Sequence, residues 1–229
     1  MRINSIFYDN YLKALKDVQD ITEPRNTESK QIKELIYIND HIKRYYNGTE
    51  FSYATFEVMN GFKYKVTADA RIYKVTGRKL KEVKPHILTS ISTPYRALRY
   101  MAKDKVQHNI LLSLVLCVCA YESFLPLYLS SKSWVVNHTI IAEPGTERDL
   151  SVDNIQALEV CTHQQNIRHG YFIKRYKLYG VSVQSSDLDN LECELVPIDD
   201  NMSDTLKQKM IEFNKRTVRE FYMRKGMSV

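Results

Sequence analysis

The chain has 229 residues, enough for one large domain or two small ones around a buried core. With 44% hydrophobic and 26% charged residues the composition excludes a disordered chain. A formal charge of +6 and a pI of about 9.0 point to a polyanionic partner, with nucleic acid the leading candidate. Cys117, Cys119, Cys161 and Cys193 have neither the paired spacing of a zinc ribbon nor the density of a disulfide scaffold, which fits a reducing compartment. The longest apolar run, residues 110–121, is too short to cross a bilayer, which takes roughly 20 residues. No charged-then-apolar signal opens the chain. The expectation is a soluble protein of a cell interior, or of a virus replicating there, with no membrane partner.

Residues 1–50 have a helical period. Ile6, Phe7, Tyr11, Leu12, Leu15 and Val18 recur at steps of three and four, and Pro24 with Asn26 ends that helix. A second helix is expected from Thr27, with Ile32, Leu35, Ile36, Ile42 and Tyr46 on its apolar face and Gly48 as its stop. Eight acidic and eight basic residues balance here. The segment therefore reads as a packed helical hairpin or a docking element for another protein.

From Phe51 the period changes to two. Asn60-Gly61 sits between alternating residues and predicts a hairpin, because both turn positions must accept positive φ. A second hairpin is expected over residues 71–81. Between Arg71 and Lys105 there are ten basic residues against Glu82 and Asp104, and Tyr73, Tyr95 and Tyr100 are interleaved with them. Arg71, Lys74, Arg78, Lys79 and Lys81 are the candidate DNA contacts, since a basic two-stranded ribbon can follow phosphates or enter a major groove.

Residues 106–120 are apolar on nearly all sides and read as a buried helix, and residues 124–133 as a connector. Trp134-Val135-Val136-Asn137-His138-Thr139-Ile140-Ile141 is rich in branched and aromatic residues, so a strand is expected there. A polar loop and a second strand-like run lead to Thr162, which with Gln165 makes a capping-box signal for a helix starting near His163. That helix presents Arg168, Lys174 and Arg175, with no acidic residue between Cys161 and Ser186, and can grip phosphates. Beyond Gly180 an acidic stretch reads as a linker that repels DNA, and a basic helix is expected from Ser203.

Two segments carry a resemblance. Val136-Asn137-His138-Thr139-Ile140 and Leu158-Glu159-Val160-Cys161-Thr162-His163-Gln164-Gln165-Asn166-Ile167-Arg168-His169 resemble the two halves of the core of HNH homing endonucleases of the phage and intron-encoded type. The run Gly61-Phe62-Lys63-Tyr64-Lys65-Val66-Thr67 with the following basic hairpin resembles the small β module that precedes that core in the family, although Ala68-Asp69-Ala70-Arg71 replaces its usual Asn-x-Gly-Arg turn. The helix expected over residues 106–120 is similar to the one that packs beneath the family's metal site. His108 matches that helix's histidine and is expected to be buried with one hydrogen bond.

The resemblance implies an α+β fold: a helical N-terminal segment (1–50), a basic β-hairpin module (51–105), an HNH core of ββα-metal type (106–180), then the acidic linker and a C-terminal basic helix (181–229). It implies an enzyme that hydrolyses phosphodiesters of double-stranded DNA with Mg2+ or Mn2+, in a host cytoplasm and encoded by a virus or mobile element. His138 would be the general base and Asn137 a metal ligand. The family's second ligand, Asn, falls at Ala157, whose methyl cannot bind a hard cation, and Asn154 three residues earlier is the substitute. His163 or Asn166 would be the residue supplied by the helix. The alternative is an HNH-derived protein that no longer cleaves and serves as a DNA-binding factor or as a subunit of a viral assembly.

Overall fold

The computed structural model describes residues 30–59, 61–88, 95–102, 105–130, 134–143 and 155–227. The helix expected around residues 6–18, Asn60 of the first turn, most of the loop between His138 and Ala157, and Asn154 itself lie outside these residues. The fold is mixed α+β with antiparallel sheets, in two compact units. The division falls within strand β9 (Trp134–His138): the first unit runs to Val136 and takes in residues 155 and 156, and the second holds residues 137–143 and those from Ala157 onward.

The first unit opens with α1 (Lys30–Asp40) and continues into β1 (Lys43–Asn47). The second helix expected from Thr27 to Gly48 therefore ends early. Arg44, Tyr45 and Tyr46 pair with β2 (Glu50–Val58) instead, an edge-strand pairing that outweighs their helical spacing. Strands β3 (Phe62–Thr67), β4 (Ile72–Thr76) and β5 (Lys79–Val83) complete a five-stranded meander in the order β1-β2-β3-β4-β5. Both expected hairpins are present. Val58 pairs with Phe62 across a turn whose Gly61 has φ +97°, and Thr76 pairs with Lys79 across Gly77 at φ +60°. Both angles are in the region that suits glycine.

A three-stranded sheet follows, from β6 (His86–Leu88), β7 (Tyr95–Met101) and β8 (Gln107–Leu111) in that order. The helix expected from Val106 begins only at Leu112: residues 107–111 form β8, paired along β7 with Tyr100 opposite His108. His108 is half-buried and stacks on Tyr100 with centroids 5.3 Å apart, and its Nε2 has no hydrogen-bond partner among the described residues. The chain then turns directly into α2 (Leu112–Ala120), all nine of whose residues are buried. Such a helix needs its last carbonyls satisfied, and Arg44 reaches back to do so, donating Nε to Cys119 O at 3.0 Å and Nη2 to Val118 O at 2.9 Å. The expected connector is a further helix, α3 (Phe124–Ser130).

In the second unit β9 pairs with β10 (Leu158–Thr162), which leads into α4 (His163–Tyr176). Residues 180–183 run alongside residues 139–141, with Gly180 N donating to Ile141 O and Val183 N to Thr139 O, both at 2.9 Å. Then come a short 3-10 turn, α5 (Leu188–Glu192), and α6 (Asp204–Arg224), whose N-cap Ser203 accepts from Leu206 N. The stretch beyond Gly180 is not a linker. Val181, Val183, Leu188, Leu191 and Leu195 share one buried cluster with Phe172, Ile173 and Tyr176 of α4 and Val218, Phe221 and Tyr222 of α6. Apolar side chains recurring every two to five residues along an acidic segment hold it to the core. No helix among the described residues is long and apolar enough to cross a membrane.

Candidate functional site

The sequence-selected asparagine and histidine stand at the end of β9, ahead of β10 and α4. Both are buried, Asn137 at 4% and His138 at 8% exposure. Branched residues on each side of them favour the strand. The capping box that starts α4 is formed in both directions, with Thr162 Oγ1 accepting from Gln165 N at 3.2 Å and Gln165 Oε1 accepting from Thr162 N at 2.9 Å. Lys177 in the left-handed region, φ 52°, ends the helix.

Glu159 on β10 meets Asn137 across the two strands. Asn137 Nδ2 donates to its Oε1 at 2.7 Å, and Ser185 N donates to the same oxygen at 2.9 Å. Burial pushes the Glu159 carboxyl above its ordinary range, and these hydrogen bonds pull it back part of the way. Next to this group lies a second set of polar residues. Lys225 Nζ reaches Asp187 Oδ1 at 2.5 Å, and Gln184 N donates to the Tyr222 hydroxyl at 2.8 Å. Glu159, Ser185 and Asp187 were not singled out from the sequence. The one available signal was a glutamate inside an otherwise apolar strand, Leu158-Glu159-Val160-Cys161, where a charge must find partners.

The implied divalent ion can be tested against these donors. Asn137 has one neutral oxygen left after its amide N–H is used. Ala157 is buried and adds only a methyl group, while its backbone carbonyl accepts from Thr139 N at 2.9 Å. His163 is the first residue of α4 and is exposed, and Asn166 is half-buried. Among the described residues no group of three or more His, Cys, Asp or Glu side chains converges as a metal site. A hard cation prefers several oxygen ligands, some of them charged; the described donors supply few of these, and Asn154, the substitute ligand, lies outside the described residues.

The other selected residues separate into two groups. Arg71, Arg78, Lys79 and Lys81 are exposed around the β4–β5 hairpin, with Arg71 Nε 3.2 Å from Asp69 Oδ2. Lys74 is half-buried, its Nζ 3.6 Å from the centre of the Phe62 ring. On α4, Lys174 is exposed, but the acidic segment meets both arginines. Arg168 pairs with Asp189 and lies 3.7 Å from Glu192, and Arg175 lies 3.4 Å from Glu192. The acidic residues expected to repel DNA neutralise these side chains instead.

His169, the last residue of the second matching segment, is fully buried within α4 with its Nε2 2.9 Å from Val183 O, and burial pushes its pKa down to about 4. A neutral imidazole that fixes the 180–183 segment is its role. No protein-family model, curated protein or solved structure matches the chain.

Proposed function

We propose that the chain is a DNA endonuclease of HNH type, hydrolysing phosphodiester bonds with His138 as the base that takes a proton from the attacking water. The observation that carries this reading is the β9–β10–α4 order, with Asn137 and His138 side by side at the end of the first strand and a helix capped at Thr162 directly after the second. A buried histidine is suited to such a role only while neutral, since a protonated ring cannot accept. The cluster of cations on the β4–β5 hairpin supplies sequence-independent attraction for the phosphate backbone.

A second reading, a DNA-binding protein of HNH descent that no longer cuts, is favoured by Ala157 and by Glu159 holding the amide of Asn137. The two are separated by incubating supercoiled plasmid with Mg2+ or Mn2+ and comparing wild type with Ala157→Asn. Conversion to nicked or linear plasmid by wild type supports the endonuclease. Silence in wild type with cleavage gained in Ala157→Asn supports the binding protein.

A further inference from the structure

The five-stranded sheet of the first unit has two chemically different faces. Phe56, Val58, Tyr64 and Val66 are buried on one of them, where α1 and α2 pack against β2. Alternate positions stand on the other. There the register sets Tyr45 opposite Tyr53, and a row of Lys43, Thr55, Lys65 and Tyr73 crosses four strands beside them. Lys63 stands opposite Glu57 on the same face.

The three tyrosines are half-buried. Tyr45 and Tyr53 stack with centroids 4.4 Å apart and planes 15° from parallel, Lys65 Nζ lies 3.9 Å from the centre of Tyr53, and Lys43 Nζ lies 5.4 Å from that of Tyr45. Residues 43–83 hold nine basic and four acidic side chains, a net +5. A core-forming face would bury its aromatic rings and exclude lysine. Here aromatic rings and ammonium groups alternate on a surface, which is the chemistry that holds flat, anionic ligands joined in a chain.

We propose that this open face binds single-stranded nucleic acid, with unpaired bases stacking on Tyr73 and taking the place of the Lys65 ammonium over Tyr53, whose other face Tyr45 supports, and with Lys43, Lys63 and the displaced Lys65 contacting the phosphates. In a duplex the faces of the bases are occupied by their neighbours, so the rings have nothing to stack on; in a single strand every base offers one. Five strands span roughly 19 Å, room for a few nucleotides. Its residues are distinct from the cations of the β4–β5 hairpin tip, and the inference does not depend on cleavage.

The test uses the full chain in EDTA and fluorescence anisotropy on an oligothymidylate of about 12 nucleotides and on a duplex of equal length. Wild type is expected to bind the single strand, Tyr53→Leu/Tyr73→Leu to bind it roughly tenfold or more weakly, and Tyr53→Phe/Tyr73→Phe to bind it like wild type. The Leu pair should leave duplex affinity in place. Lys63→Gln/Lys65→Gln, both at solvent-accessible positions, should lower the slope of log affinity against log salt by about 1.4. His138→Ala should bind the oligonucleotide like wild type, so that loss of cleavage and loss of this surface are read separately. Absence of single-strand binding at low salt overturns the proposal, as does wild-type affinity in the Leu pair, or equal loss on single strand and duplex. Should the Leu pair fail to fold by circular dichroism, an unchanged salt slope in the Lys pair overturns it.

Discussion

Glu159 sits half-buried between two donors, the Asn137 amide and the Ser185 N–H, and removing its carboxylate leaves both without their acceptor. Glu159→Ala is therefore expected to destabilise the second unit by roughly 1–3 kcal/mol, read as a lower midpoint in urea; an unchanged midpoint would mean that neither bond matters. His169 makes a separate prediction. Its pKa in the fold is about 4 against an ordinary 6.5, so between these values the unfolded chain binds a proton that the folded one does not. Stability from this group is whole above about 6.5 and is lost as pH falls through about 4, a change of about 3 kcal/mol. Glu159, with its raised pKa, works in the opposite direction on acidification. The comparison that isolates the histidine is His169→Gln, whose stability should depend less steeply on pH than wild type over that window. Equal slopes would contradict the assignment.

Two helices of the second unit depend on polar side chains at particular places. Thr162 caps α4, and Thr162→Ala should cost about 1 kcal/mol in a denaturant titration. Asn214 of α6 is fully buried; its Oδ1 accepts from Val196 N at 2.9 Å, and its Nδ2 donates to Val196 O at 2.8 Å and Tyr176 O at 3.2 Å. Asn214→Ala strands three backbone groups and is expected to cost about 3 kcal/mol; a loss of only a few tenths would contradict this pinning of residue 196 to α4 and α6. The Thr162 cap was legible in the sequence because capping is local chemistry: the signal and its partner are three residues apart. Both hairpins were legible for the same reason, each lying within one short run of the sequence, the first marked by its Asn-Gly turn. Asn214 was not, because its partners are 18 and 38 residues away. Residues 43–47 and 107–111 read as helix and are strands, since the pairing that decides them comes from β2 and β7 rather than from their own spacing. The acidic stretch read as a linker because its charges are conspicuous, while the leucines and valines that bury it needed α4 and α6 to be in place.

For the whole molecule, charge is what the proposed contact with DNA rests on. Residues 43–83 of the first unit carry a net +5, whereas on α4 Asp189 and Glu192 meet Arg168 and Arg175. Duplex binding is thus expected to depend on the β4–β5 hairpin. Lys79→Gln/Lys81→Gln should reduce the slope of log affinity against log salt by about 1.8 in a gel shift, whereas Arg168→Gln should leave it nearly unchanged. The reverse result would place the phosphate contacts on α4. The central claim, however, concerns chemistry at β9. Its most direct measurement is conversion of supercoiled plasmid by wild type and His138→Ala, prepared identically and supplied with Mn2+. The account predicts nicked or linear product from wild type and a loss of about a hundredfold or more in the variant, the scale expected when a general base is removed. Equal cleavage by both proteins would contradict it.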